Sequence, residues 1–186
     1  MTAEGTDALA RHYLEDARRR FESIKKLADD AAAQLSDEEF FRRPGGASNS
    51  VAVIFKHVAG NLRSRWTDFL TTDGEKPDRD RESEFDASGE GRADALGRWE
   101  RGWATLFDAL DRLTPADLLR TVTIRHEPHT VVEAVSRQLA HYAYHAGQIV
   151  FLAKHLKADG WRYLSVAPGR SARFNAEMEE RHKSGG

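Results

Sequence analysis

The 186-residue chain has no cysteine. That excludes disulfide staples, thiolate metal ligands and a catalytic thiol of its own. It has little excess charge: 28 Lys and Arg stand against 30 Asp and Glu, for a formal net charge of -2. So even a balance argues against a nucleic-acid binder that works through bulk charge. No run approaches the roughly 20 apolar residues of a membrane span. Glu4, Asp7, Arg11, His12 and Glu15 interrupt the first apolar residues, which excludes a signal-peptide core there. No internal repeat and no strand–helix–strand alternation is visible. These absences set the expectation of a cytoplasmic protein that binds neither nucleic acid nor membrane.

What remains is a globular composition, 40% hydrophobic and 31% charged, sized for one domain over residues 1–186. Leu14, Ala17, Phe21, Ile24, Leu27, Ala31 and Leu35 recur at steps of three or four, which predicts a first helix over residues 5–35. Ser36 and Glu39 have capping-box spacing, so a short helix follows. Ser48, Asn49 and Ser50 are good caps for a second long helix reaching about residue 70, with Val53, Ile54, His57, Val58, Asn61, Leu62, Trp66 and Phe69 on one face. A third helix is expected over residues 93–113 on Leu96, Trp99, Trp103, Leu106 and Leu110. A fourth is expected over residues 132–156.

Four long amphipathic helices make an all-α four-helix bundle. Thr121 to Ile124 alternates and is β-branched, Arg125 to Pro128 punctuates it, and His129-Thr130-Val131 resumes. A short β-ribbon is therefore expected before the last long helix. Residues 71–92 are a long polar loop with Phe85 as their one large apolar residue. They read as a solvated linker, with a rim or lid over a site as the alternative. Residues 157–186 are a C-terminal extension that packs in part, and its last four residues, 183–186, are expected to be disordered.

Three of the eight histidines stand apart. His141 and His145 are spaced i, i+4, which puts two imidazoles on one helix face, about 5–6 Å apart at Cβ. Neutral imidazoles so placed can bind one transition metal. His57 lies on the apolar face of the second helix and supplies a third ligand. Alone, such a histidine is more often a hydrogen-bonded core residue. Three imidazoles without a thiolate suit Zn or Ni first, with Fe or Co next. Asn61, Gln138 and Gln148 lie about one turn from the ligands, as candidates for orienting them or for lining a substrate pocket. No catalytic residue or general base stands out. The other five histidines read as surface residues.

The pattern His57 in Phe55-Lys56-His57-Val58-Ala59-Gly60-Asn61, with His141-Tyr142-Ala143-Tyr144-His145 on the last long helix, resembles the DinB/YfiT-like superfamily of metal-dependent enzymes. The stretches Asn49-Ser50-Val51-Ala52, Asp73-Gly74-Glu75-Lys76-Pro77 and Pro168-Gly169-Arg170-Ser171 are similar to an uncharacterised domain-of-unknown-function branch of it. The resemblance implies a DinB-like bundle and a divalent metal on His57, His141 and His145. It also implies small-molecule chemistry, either transfer of a low-molecular-weight thiol co-substrate or hydrolysis, and a homodimer. The alternative function is a metal-stabilised dimeric bundle that binds without catalysing.

Overall fold

The computed structural model describes residues 3–183. Its elements run α1 (Ala3–Ala32), α2 (Asp37–Phe41), α3 (Val51–Trp66), α4 (Arg92–Asp111), β1 (Thr121–Ile124), β2 (Glu127–Thr130), α5 (Val131–Lys157) and α6 (Ser171–Lys183). The long helices form a bundle in which α3 packs on α4, α1 packs on α5, and α3–α5 and α1–α4 close the square. The fold is thus the mostly helical bundle expected, with one antiparallel ribbon.

The helix starts follow local chemistry. Ser36 Oγ accepts from the Glu39 N–H at 3.2 Å while the Glu39 carboxylate accepts from the Ser36 N–H at 2.8 Å. Ser50 caps α3 through the Val53 N–H. Thr130 and Glu133 form a capping box for α5, which the sequence reading passed over. The second long helix ends four residues earlier than expected. Thr67 is extended and Asp68 takes a left-handed φ of 49°, so Phe69 and Leu70 pack from a turn.

Two stripe residues were misassigned. Leu27 and Leu96 are exposed, and Ala28 and Ala95 are buried in their places. The reason is close helix approach, which admits small side chains at the seam. At Gly102 of α4 a Cβ would lie 3.1 Å from Leu62 Cβ and 3.3 Å from Ala59 Cα, so α3 and α4 meet almost backbone to backbone. The core is otherwise aromatic. Phe21, Trp66, Trp103 and Tyr142 cluster edge to face, and Tyr142 Oη accepts from Trp66 Nε1 and donates to Asn61.

The ribbon pairs Thr121 with Thr130 and Ile124 with Glu127. Its second strand begins at Glu127, two residues before the expected resumption, and Val131 already belongs to α5. Pro128 is tolerated because a two-stranded ribbon consists of edges. The turn residues Arg125 and His126 both sit at positive φ, 55° and 64°, without being glycine. Asp73 compensates by accepting from both their N–H groups, at 2.9 and 2.8 Å, and from the Glu75 N–H at 2.6 Å. Burial works to raise the Asp73 carboxyl, but these backbone donors outweigh it and hold it well below the usual carboxylate range.

A pH dependence follows. The unfolded chain binds a proton at Asp73 near the ordinary value of about 3.9, whereas the folded chain resists it. Stability from this group is therefore complete above about pH 5 and is lost as pH falls toward the depressed folded value. Asp73→Asn is expected to lower the urea midpoint at pH 7 and to flatten the fall from pH 5 downward. An acid limb as steep as that of the wild type would show that Asp73 contributes nothing.

The C-terminal extension packs through Trp161 and Leu164, and Gln34 exchanges hydrogen bonds with the Arg162 backbone. Helix α6 was not anticipated, because its residues carry no apolar stripe. Lys183, expected to be disordered, closes that helix, and residues 184–186 lie outside the described residues. Among the described residues no helix is long and apolar enough to cross a membrane.

Candidate metal centre

His57 enters from α3, and His141 and His145 enter from successive turns of α5. Ring centroids are 5.7 Å apart for His57–His141, 5.0 Å for His57–His145 and 4.7 Å for His141–His145. One ring nitrogen from each falls within 4.8 Å of the others. The Nε2 atoms of His141 and His145 are 3.1 Å apart. Two imidazole nitrogens on one tetrahedral ion would be about 3.3 Å apart, so the donor set fits a divalent metal with little movement.

The far nitrogens of two rings are occupied. His57 Nδ1 donates to the Glu84 carboxylate at 2.9 Å, and His145 Nδ1 donates to Gln148 Oε1 at 2.8 Å. Both partners can only accept there, so each fixes the tautomer that leaves Nε2 bare toward the common point. Burial and the neighbouring His145 and His57 push His141 down to about 3, and burial lowers His145 as well. Both are neutral at pH 7, the form a ligand needs.

The expected orienting residues come to the site with different partners. Gln148 holds His145. Asn61 is buried and accepts from Tyr142. Gln138 is 3% exposed, and its Oε1 has no hydrogen-bond partner among the described residues. Among the other histidines, His12, His126, His155 and His182 are exposed as expected. His129 is not. Its side chain is 14% exposed and Nε2 lies 3.5 Å from Glu127, because β2 turns it inward against α5.

Residues 71–92 are not a solvated linker. A 3₁₀ turn at Glu82–Phe85 packs on α3, stacks Phe85 on His57 at 5.2 Å and buries Glu84 beside it. Arg79, with its side chain 3% exposed, grips both Glu84 oxygens at 2.8 and 2.9 Å. Burial raises the Glu84 carboxyl, while the bonds from His57 and Arg79 lower it further, so it stays ionised. Sequence reading missed Glu84 and Arg79. A carboxylate 27 positions from its histidine leaves no periodic trace, and only Phe85, the loop's one large apolar residue, hinted that this stretch packs.

Gly60 makes room for the carboxylate. A Cβ there would lie 2.7 Å from Glu84 Cδ, and Glu84 cannot swing away without releasing His57 and Arg79. Gly60→Ala is expected to keep the helix content, since alanine favours a helix by up to about 1 kcal/mol. It should lower metal affinity about tenfold or more through the displaced orienting carboxylate. Competition against a chromophoric chelator measures this, and wild-type affinity would refute the role of Glu84.

His57, Asn61, Gln138 and His141 line a cavity of about 200 Å³ together with five arginines and no carboxylate. A larger groove of about 530 Å³ runs between α3 and α4 behind Glu84 and holds no histidine. Three converging imidazoles, two of which (His57 and His141) line a cavity, without a fourth protein ligand among the described residues, are the arrangement of a site with open coordination positions. A family model described as "Protein of unknown function (DUF1572)" matches residues 8–170. No curated protein matches the chain.

Proposed function

The chain belongs to the DUF1572 family of proteins of unknown function, and we propose that it is a DinB-like, divalent-metal-dependent enzyme acting on a small molecule. The observation that supports this is the convergence of His57, His141 and His145 beside a cavity that His57 and His141 line, with two of the rings, His57 and His145, locked by hydrogen bonds at their far nitrogens. Zn or Ni suits three imidazoles best, with Fe or Co next. Such an ion, when bound, supplies Lewis acidity and lowers the pKa of a coordinated water or thiol.

The protein's own groups bind and orient. Glu84 and Gln148 aim the imidazoles. Gln138 offers an unpaired carbonyl oxygen to a donor hydrogen of the substrate. Phe85 covers His57 from solvent. Among the described residues no carboxylate lines the cavity to act as a general base. That favours transfer of a low-molecular-weight thiol, whose own sulfur is the nucleophile, over hydrolysis. Because the chain has no cysteine, that sulfur must come with the co-substrate. The cytoplasm, where such thiols are kept reduced, is the matching location.

The test is metal analysis of untagged protein followed by Co substitution and thiol titration. One metal per chain and a thiol-dependent change in the Co spectrum are expected. Less than about 0.1 metal per chain, unchanged by His57→Ala, would overturn the site. A Co spectrum blind to thiols and to every exogenous ligand would point instead to a non-catalytic, metal-stabilised bundle.

A homodimer is part of the same proposal. Tyr144 and Phe151 on the outer face of α5 are 63% and 72% exposed, beside Ala143 and Gly147. Sedimentation should show a dimer that Phe151→Glu dissociates. A monomeric wild type would exclude it.

A further inference from the structure

The cavity beside the histidines is cationic to a degree that metal binding does not require. Five guanidinium groups, from Arg65, Arg79, Arg81, Arg125 and Arg137, reach its lining. Two inner carboxylates stand behind them. Glu75 takes Arg65 at 3.0 Å and Arg125 at 2.8 Å, and Glu84 takes Arg79. Among the described residues, Arg81 and Arg137 have only solvent-exposed ion-pair partners, Glu82 at 3.3 Å and Glu127 at 3.9 Å. Pairs so exposed hold a guanidinium weakly and release it readily.

Cationic side chains gathered at a metal-ligand wall repel the ion that the histidines would take. They need a reason, and an anionic ligand gives one. The loop and the ribbon are built to deliver them. Asp73 clamps the strained turn that presents Arg125, and the same stretch carries Glu75, the shared anchor of Arg65 and Arg125. Arg137 sits one turn before His141 on α5, and Arg81 lies over Phe85. On the cavity side the unpaired Gln138 oxygen adds an acceptor among the donors.

We infer that this cavity is a subsite for an oxyanion, the carboxylate or phosphate group of the small-molecule substrate. A guanidinium fork matches either group with two parallel hydrogen bonds. At about 200 Å³ the cavity holds the anionic end of a metabolite and not a bulky apolar one. The inference rests on the enzymatic reading for the word substrate, but not for the binding itself. The substrate then brings its reacting atom toward the imidazoles while Arg81, Arg125 and Arg137 fix its charged end.

The experiment is calorimetric titration of the full-length protein with inorganic phosphate and, separately, with succinate. Each is run with and without Zn. Saturable one-to-one binding of at least one anion is expected, weakening with ionic strength. The tighter of the two identifies the group. Arg81→Gln and Arg137→Gln, both at exposed side chains that the fold does not need, should each weaken binding about tenfold. About a hundredfold loss in the double variant is expected, with unchanged metal content. No saturable binding of either anion, or binding that both variants leave intact, would overturn the subsite. Metal uptake is scored on the same samples, so a chain that takes no metal yet binds anions refutes the enzyme and keeps the subsite.

Discussion

Replacing His57 by alanine is expected to abolish stoichiometric metal binding while leaving a folded bundle. The three imidazoles divide two to one between α5 and α3, so His57→Ala leaves an i, i+4 pair on a single helix. Structural zinc sites release about 10–16 kcal/mol over four ligands, which is about 2.5–4 kcal/mol for each. Loss of one ligand therefore weakens affinity by about two to three orders of magnitude. The alanine also leaves Glu84 without its imidazole partner, but Arg79 still neutralises that carboxylate through both oxygens. The fold should survive. With metal at a hundred times the wild-type Kd, the wild type gains about 2.7 kcal/mol of stability and the variant almost none. Thermal unfolding with and without Zn reads this difference. A metal-induced shift of equal size in the two proteins would place the ion elsewhere.

Replacing Glu84 by alanine should cost more in stability than losing any of the histidines. The residue is 5% exposed and joins two buried partners from different elements. Without it, Arg79 keeps only Glu75, at 3.4 and 3.5 Å, and His57 Nδ1 loses its acceptor. Removing one member of a buried ion pair costs about 3–5 kcal/mol. Because Glu75 remains, about 3 kcal/mol is expected here, or roughly 10 °C in Tm for a chain of this size. Metal affinity should fall about 10–100-fold as His57 loses its fixed tautomer. Glu84→Gln separates the two effects. It keeps an acceptor for His57 but not the charge facing Arg79, so metal affinity should recover more than stability. If Glu84→Ala costs less than about 1 kcal/mol, the pair is not what seats the loop.

The bundle and the histidines were legible in the sequence because both rest on helical periodicity. Ser36, Ser50 and the i, i+4 pair His141 and His145 act within a few residues of their partners, and His57 is marked by its place on an apolar helix face although its partners are distant. Leu27 and Leu96 misled because hydropathy outranks size in a stripe, whereas a tight seam selects Ala28, Ala95 and Gly102. Glu84, Arg79 and the cationic cavity were not legible. Their partners lie on other elements, and a polar loop that folds onto a helix through ion pairs has the composition of one that does not. Helix spacing alone puts Gln138 and Gln148 near the histidines, yet only the structure separates their surroundings, Gln148 on the His145 ring and Gln138 at the cavity.

The division of ligands between α3 and α5 also bears on chain topology. Residues 57 and 141 enclose nearly half of the sequence, including α4 and the whole ribbon. An ion held by both helices would act as a cross-link around that loop. On the chain-entropy view, closing a loop of this size constrains the unfolded ensemble by about 4.5 kcal/mol when the link persists on unfolding. A protein without cysteine would thus own a reversible counterpart of a disulfide, set by metal supply instead of redox state. Amide exchange should report it as slowed opening of α4 and the ribbon together, at positions that touch no ligand.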